Sequence, residues 1–198
     1  MVTVSTSPAT PRTYHHGDLR SALIEQGIAL LEEAGAEALS LREVARRVGV
    51  SATAVYRHFP DKAALVRALA AESLDRLGEA QRAAAQLAGG GRAGFTALGR
   101  AYVRFALANP GLFRLAYAHE ATRHEGLPEG NLAADLLRDK ARELCGGDEA
   151  EAQRLVLQAW AVAHGLAMLM LDGRIPAEDV LIDRLIDAGA LFNLRPAS

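Results

Sequence analysis

The chain has 198 residues, half of them hydrophobic, so it is long enough to bury about 70% of its unfolded surface in one or two domains. Its single cysteine, Cys145, excludes an intrachain disulfide and fits a reducing cytoplasm. The formal net charge is −2, and the first 60 residues carry six arginines against six acidic residues, so bulk charge does not identify a nucleic-acid binder.

The amino-terminal segment is rich in Ser, Thr and Pro and lacks the basic and apolar regions of a secretory signal. We therefore expect a flexible arm over residues 1–16. A helix is predicted over residues 18–34, and Gly35 is expected to end it. The inward face of this helix is predicted to carry Leu23, Ile24, Ile28 and Leu31.

Residues 40–59 have the pattern of two short helices joined by a tight turn. Ser40 and Glu43 form an S-x-x-E capping box that can start the first helix. Gly49 stands where that helix ends in a left-handed conformation, and Ser51 can cap the next one, as in a helix-turn-helix. The second helix is predicted to expose Ala52, Thr53, Tyr56 and Arg57 and to bury Val55 and Phe59.

The rest of the chain also has the pattern of helices. Pro60 and Asp61 start a long helix that continues toward Leu87, and the glycines at 89–91 break it. Further helices are predicted over residues 92–108, 110–118, 131–144, 148–171 and 177–194. No period-2 strand of useful length is present, so the predicted fold class is all-α. The predicted organisation is a three-helix helix-turn-helix domain over 17–62, a connecting helix over 63–88 and a carboxy-terminal helical domain over 92–198.

Residues 155–171 contain no Asp, Glu, Lys or Arg, which raises the question of a membrane span. This length is at the short limit for crossing a bilayer, and the run continues a polar helix that begins near Asp148. A helix that is apolar on all sides in a soluble protein must be buried on all sides. We therefore interpret the segment as a core helix and expect no membrane partner.

Several motifs that suggest catalysis have the wrong context. Gly89-x-Gly91-x-x-Gly94 matches a dinucleotide fingerprint, but a helix precedes it where a strand is required, so a linker is the better interpretation. His119-Glu120 is followed by His124 at a spacing that a helical zinc site does not use, and residues 126–130 suggest a mobile loop. We predict no enzyme, no cofactor and no metal site.

The helix-turn-helix segment resembles the TetR family of bacterial transcriptional regulators. The resemblance rests on Leu41-Arg42-Glu43-Val44-Ala45, Gly49-Val50-Ser51, Val55-Tyr56-Arg57-His58-Phe59 and Asp61-Lys62-Ala63-Ala64-Leu65, with Tyr14 to Arg20 similar to a common family opening. Tyr102-Val103-x-Phe105, Asn109-Pro110-x-Leu112-Phe113 and Trp160-x-x-x-His164-Gly165 resemble one group of effector domains in such regulators. The resemblance implies a DNA-binding domain followed by an effector domain.

In such a domain the second helix lies in the major groove, which makes Thr53 and Arg57 the candidates for base contacts and places Ala52 near a thymine methyl. The resemblance implies phosphate contacts for Tyr56, His58 and Lys62. Ser51 can serve both as helix cap and as phosphate donor, and Arg42 matches a position at the start of the preceding helix that can reach DNA. Ordinary packing at the helix end is the alternative for Tyr56 and His58, and a solvated face is the alternative to DNA contact for Arg46 and Arg47.

The second half has the pattern of a chamber for an apolar small molecule. The predicted lining consists of Tyr102, Phe105, Phe113, Tyr117, Trp160, His164 and Met168. The alternative is that these side chains form a solid core and that His164 is a satisfied core histidine. The sequence alone therefore leaves two alternatives for this region, an open cavity and a solid core.

A homodimer is predicted from the last two helices, over 148–171 and 177–194, packed against their symmetry mates as a four-helix bundle. Besides the stripe with Trp160, His164 and Met168, the run 155–171 carries a second apolar stripe: Leu155, Ala159, Val162, Leu166 and Met170. We assign one of the two stripes to the interior of the chain and the other to another subunit. The last helix is predicted to use Leu181, Leu185, Ala188 and Phe192. Two recognition helices that read half-sites about 34 Å apart also require a dimer.

The sequence thus predicts a cytoplasmic, homodimeric regulator that binds a palindromic double-stranded DNA operator and is released by an apolar effector, acting as a repressor. A helical protein–protein adaptor that has lost DNA binding is the alternative from another class, and an enzyme that processes small molecules is a third. The concentration of basic side chains on the helix-turn-helix favours the regulator over the adaptor.

Overall fold

The computed structural model describes residues 16–120 and 130–192, and this part of the chain is helical with no strand. The helices are α1 (His16–Ala38), α2 (Leu41–Val48), α3 (Ala52–Tyr56), α4 (Lys62–Leu87), α5 (Gly91–Ala108), α6 (Pro110–Glu120), α7 (Leu132–Leu144), α8 (Glu149–Leu171), α9 (Asp179–Leu185) and α10 (Ala188–Phe192). The all-α prediction is confirmed. Nearly all of the predicted arm over 1–16, and the segment with His124, lie outside the described residues.

The helix-turn-helix has the predicted ends. The Ser40 hydroxyl accepts the backbone N–H of Glu43 at 3.2 Å, and the Ser51 hydroxyl accepts that of Ala54 at 3.3 Å. Gly49 adopts φ 78° and ψ 31°, and the N–H of Val50 bonds to the carbonyl of Ala45, as in a Schellman ending. The glutamate half of the capping box differs, because the Glu43 carboxylate accepts hydrogen bonds from Arg46 and Arg47 instead.

The turn between α1 and α2 forms where Gly35 predicts it. Gly35 has φ 79° and ψ 174°, which breaks the helical path inside α1 and leaves one short turn before Leu39. The inward face of α1 carries the four predicted residues: Leu23, Ile24, Ile28 and Leu31. They pack with buried residues of α2, α3 and the start of α4 in one core. Val55 and Phe59 are buried there too.

The long helix α4 connects the two ends of the molecule. Asp61 caps its first turn through the Ala64 N–H at 2.7 Å, and it runs for 26 residues, or about 39 Å. It packs against α5, α6 and α7 as well as α1. The glycine turn at 89–91 ends it as predicted, with all three residues at positive φ.

The predicted helix over 177–194 is wrong, because two short helices, α9 and α10, occupy this range. The break lies at Ile186, whose φ of −98° and ψ of 86° are not helical. Arg100 on α5 donates to the carbonyls of Asp183 and Ile186 at 2.7 and 2.9 Å, which satisfies the open end of α9. Thr96 then accepts the N–H of Ala188 at 3.1 Å and so anchors the start of α10.

The predicted apolar face of this last segment is also partly wrong. Ile182 is the buried residue of α9, at 1% exposure, and Ile186 at the break is 5% exposed. Ala188 is buried as predicted, and Phe192 is half-buried. Leu185 is 40% exposed, whereas the side chain of Ile186 at the break lies against Gly99 of α5.

Helix α8 is long and apolar enough to cross a membrane by length and composition. One face of it packs against α5 and α7 and is buried there, as in a core helix. The expectation of burial on all sides is not met within one chain. Leu157 and Leu169 are each 47% exposed on the opposite face, with the exposed Ala161 between them. Most of the second stripe predicted for this helix is buried, including Leu155, Leu166 and Met170. The exposed face therefore belongs to neither of the two predicted stripes.

Candidate functional site

The exposed face of α3 carries the residues that the sequence predicts for base contact. Ala52, Thr53 and Arg57 are all exposed, while Val55 between them is fully buried and fixes the orientation of the helix. Ser51 is exposed as well, at the start of the same helix. We call the exposed set Arg42, Ser51, Ala52, Thr53, Tyr56, Arg57, His58 and Lys62 the α3 surface, although His58 is only half-exposed.

The packing alternative for Tyr56 is not supported, because its side chain is 48% exposed. His58 is half-buried beside Phe59, so packing and a polar contact are both compatible with its position. Lys62 lies exposed at the start of α4 and donates to the carbonyl of Ala36 on α1 at 3.3 Å.

The arginines near this surface divide into two groups. Within residues 16–120 and 130–192, no carboxylate pairs with Arg42 or Arg57, and both are exposed. Arg46 instead holds Glu43 through two hydrogen bonds at 2.6 and 2.9 Å, which lowers the pKa of Glu43 to about 2. Arg47 pairs with Glu33 on α1 at 2.8 Å. Arg46 and Arg47 are therefore held in ion pairs within the helix-turn-helix domain. Arg42 and Arg57 have no such partner among the described residues, so their charges are the ones available to bind DNA.

A cavity lies between α4, α5, α6, α7, α8 and α10. Its volume is about 40 Å³, more than the roughly 10–15 Å³ that one water molecule needs. Its walls are mostly apolar, and among the described residues no charged side chain lines it. The carboxy-terminal region is therefore not packed solid.

Three of the seven predicted lining residues border this cavity: Tyr102, Tyr117 and Trp160. Phe105 and Phe113 are buried in the core instead, and Met168 packs against that core from the edge. His164 does not border the cavity, and its ring packs against Tyr102 and Tyr117, which do. Periodicity places aromatic residues on the correct faces, but it does not distinguish the side chains that border a void from those that fill the space next to it.

Two aromatic residues of the cavity wall and two behind it form one cluster: Tyr102, Tyr117, Phe113 and His164. The Tyr102 and Phe113 rings meet edge to face at 5.5 Å, and the Tyr117 and His164 rings are 4.9 Å apart. The Tyr102 hydroxyl lies 2.8 Å from Nδ1 of His164, in hydrogen-bonding distance. Burial raises the pKa of Tyr102 and lowers the pKa of His164, so both groups are neutral at pH 7.

Sequence reasoning missed Gln81, which lies on the buried face of α4 and lines the cavity at 4% exposure. A signal was present, since Gln81 continues the stripe of Leu74 and Leu77 at helical spacing and is polar where Leu is expected. The α10 side of the wall, with Ala188 and Phe192, was missed for a different reason. It exists only because the helix over 177–194 is broken.

A polar contact joins α1 to α6, one of the helices around the cavity. The Glu32 carboxylate on α1 accepts the backbone N–H groups of Gly111 and Leu112, at 3.0 and 2.7 Å, in the first turn of α6. A Cβ at Gly111 would lie 3.1 Å from Glu32 Oε2, so glycine permits this approach. The same helix carries Tyr117 to the cavity wall.

Comparisons with known proteins agree with this architecture. The family model described as "Bacterial regulatory proteins, tetR family" matches residues 23–69, and the one described as "Tetracyclin repressor-like, C-terminal domain" matches residues 95–189. The tetracycline repressor protein class C of Escherichia coli is 45% identical over 51 residues. That match covers 26% of this chain and 23% of the repressor's length.

Solved structures share the fold over almost the whole chain. A protein of unknown function from Rhodococcus sp. RHA1 is 34% identical, with a TM-score of 0.74 over 90% of this chain and 95% of that one. A TetR family transcription regulator from Marinobacter aquaeolei VT8 is 21% identical, with a TM-score of 0.58 over 84% and 91% of the two chains. This chain thus belongs to the TetR family of DNA-binding transcriptional regulators.

Proposed function

We propose that this regulator is a cytoplasmic, homodimeric repressor that leaves a palindromic operator when an apolar small molecule fills its cavity. The observation that carries the proposal is the course of α4. This helix begins at Lys62 on the α3 surface and carries Gln81 in the cavity wall. Residues 17–62 are then the DNA-binding domain, 63–88 the connecting helix and 92–198 the effector-binding and dimerisation domain.

On DNA, α3 lies in the major groove. Thr53 and Arg57 contact base edges and Ala52 contacts a thymine methyl, because these exposed side chains lie on the outward face of the helix. The other members of the α3 surface contact phosphates. With only Arg42, Arg57 and Lys62 as cations on the α3 surface, the dependence of operator affinity on salt is modest.

The dimer is supported by apolar side chains that a single chain leaves exposed. Leu157 and Leu169 on α8 are each 47% exposed, and Val180 and Leu185 on α9 are 77% and 40% exposed. Patches of this kind mark protein interfaces. A second copy packed on α8 and α9 covers them and sets two α3 helices at the spacing of successive major grooves.

Release requires the effector to bind more tightly to the dimer arrangement in which the two α3 helices do not fit the operator. A tenfold loss of operator affinity needs about 1.4 kcal/mol of such preference. Two routes connect the cavity to the DNA-binding domain. One is α4 itself, and the other runs through α6 to Glu32 on α1. The small volume of the cavity supports this mechanism, because an effector larger than the cavity has to displace the surrounding helices in order to bind.

DNA binding is tested by a gel shift with the DNA upstream of the protein's own gene. We expect a specific complex that competitor DNA of random sequence does not remove, and lower transcription from that fragment when the protein is added. A protein that binds no fragment of its own genome, but captures another protein through α8 and α9, would favour the adaptor instead.

The dimer is tested by sedimentation at micromolar concentration. Wild type is expected to be a dimer, and the double variant Leu157→Asp with Leu169→Asp a folded monomer that loses operator binding. Leu87→Asp is the matched control, because Leu87 is 91% exposed on α4 and lies away from α8. A monomeric wild type would contradict the proposal.

A further inference from the structure

The side-chain amide of Gln81 is half satisfied inside the cavity wall. Its Nε2 donates to the carbonyl of Leu98 on α5 at 3.0 Å. A carbonyl only accepts, so the amide nitrogen must be the atom that faces Leu98, and this fixes the orientation of the amide. Its oxygen, Oε1, is then a buried acceptor without a partner in the described part of the chain.

A second unpartnered polar atom lies in the same wall. The indole Nε1 of Trp160 is buried and lies near the Tyr102 hydroxyl, but it makes no hydrogen bond of standard geometry within residues 16–120 and 130–192. Buried polar groups without partners are uncommon in folded proteins, and each one calls for an explanation. Here both belong to residues that line one cavity, and they are complementary, since one accepts and the other donates.

We propose that these two atoms select the effector, an inference that rests on the proposed function of the cavity. The effector is a neutral, mostly apolar molecule with a hydroxyl or N–H that donates to Gln81 Oε1. A phenol or an N–H heterocycle has this chemistry, and its oxygen or carbonyl can accept from Trp160 Nε1. An anion or cation is excluded by the apolar wall, which offers it no counter-charge among the described residues.

The position of Gln81 gives this hydrogen bond a route to DNA. Gln81 lies 19 residues after Lys62 on the uninterrupted helix α4, which corresponds to about 28 Å along the axis. The effector therefore bonds directly to the helix that begins at the α3 surface. A ligand held only by the apolar wall has no directional contact with α4.

The test uses a matched pair of probes, 4-chlorophenol and 4-chloroanisole, which differ by the methyl group that removes the donor. Trp160 is the single tryptophan of the chain, so its fluorescence reports binding at the cavity. With full-length protein at pH 7, we expect the phenol to bind about tenfold more tightly than the ether. The anion 4-chlorobenzoate is expected to bind less tightly than either.

The variant Gln81→Met keeps the shape of the side chain and removes the acceptor. We expect the phenol to lose its advantage and the ether to bind as to wild type, with the fold checked by circular dichroism. Gln86→Met is the matched control, because Gln86 is exposed on the same helix and should leave both affinities unchanged. Trp160→Phe, measured by calorimetry, should weaken both probes, since each has an oxygen that accepts.

Three results would overturn the inference: equal binding of the two probes to wild type, an advantage of the phenol that persists in Gln81→Met, or no binding of either probe at millimolar concentration. The proposed function fails separately. If the phenol binds with the expected selectivity and the affinity for operator DNA does not change, the site stands and ligand release is wrong.

Discussion

The helix-turn-helix and the helices around the cavity are stabilised in different ways. In the first region Ser40 and Ser51 cap α2 and α3, Gly49 ends α2, and Val44 and Val55 are fully buried. In the second region Ile186 breaks the last segment, a cavity remains and Gln81 keeps an unpartnered oxygen. A surface that reads DNA must keep one shape, whereas a site that senses a ligand must have a second shape within a few kcal/mol.

The largest expected effect compares one phenylalanine from each region. Phe59→Ala should lower the free energy of unfolding by about 3–5 kcal/mol, because Phe59 is 2% exposed in a closed core. Phe192→Ala should cost less than about 2 kcal/mol, since Phe192 is half-buried at the wall of a cavity. Urea denaturation at one protein concentration measures both. Equal losses would contradict the contrast between the regions.

The next effect separates the roles within the α3 surface. Tyr56→Ala should weaken binding to every operator variant, whereas Thr53→Ala and Arg57→Ala should change the preference among them by about 1–3 kcal/mol per base contact. Fluorescence anisotropy with a set of singly substituted operators measures this. Uniform losses for all three variants would remove the assignment of base contacts.

A smaller effect tests the contact between the two regions. Glu32→Ala removes two charge-assisted hydrogen bonds to the first turn of α6 and should lower the free energy of unfolding by about 1–2 kcal/mol. Amide exchange at Gly111 and Leu112 should become faster. Glu37→Ala is the control, because Glu37 is exposed on the same helix. Unchanged exchange in Glu32→Ala would show that the contact does not hold α6.

The smallest effect concerns the turn of the helix-turn-helix. Gly49→Ala should cost about 1 kcal/mol, since Gly49 has φ 78° and the added methyl group meets nothing within 4 Å. The loss is therefore backbone strain alone. Gly49→Asn should retain most of the stability, because asparagine tolerates the left-handed conformation. A loss in the asparagine variant as large as in the alanine variant would contradict this explanation.

The two regions also differ in how well the sequence predicts them. The caps and glycine turns of α2 to α4 are local, so Ser40, Gly49 and Asp61 specify them within a few residues. The break at Ile186 depends on Arg100, which lies 86 residues earlier in the chain. No periodicity in the last segment contains that information.

The cavity lining shows the same limit. Phe113 and Tyr117 lie on one helix face four residues apart, yet the first fills the core and the second borders the cavity. A void is the result of how several helices meet, and an apolar stripe predicts only that a face is covered. Gln81 is different, since a polar residue in an apolar stripe is visible in the sequence and marks a position to inspect.

The central claim is that α3 reads DNA as one half of a symmetric dimer. The most direct test is to incubate the full-length protein with duplexes of random sequence, recover the bound molecules and sequence them. We expect an enriched palindrome whose half-sites are about one helical turn apart, and loss of that enrichment in Arg57→Ala. Recovery of unselected sequence, or of a single half-site without symmetry, would contradict it.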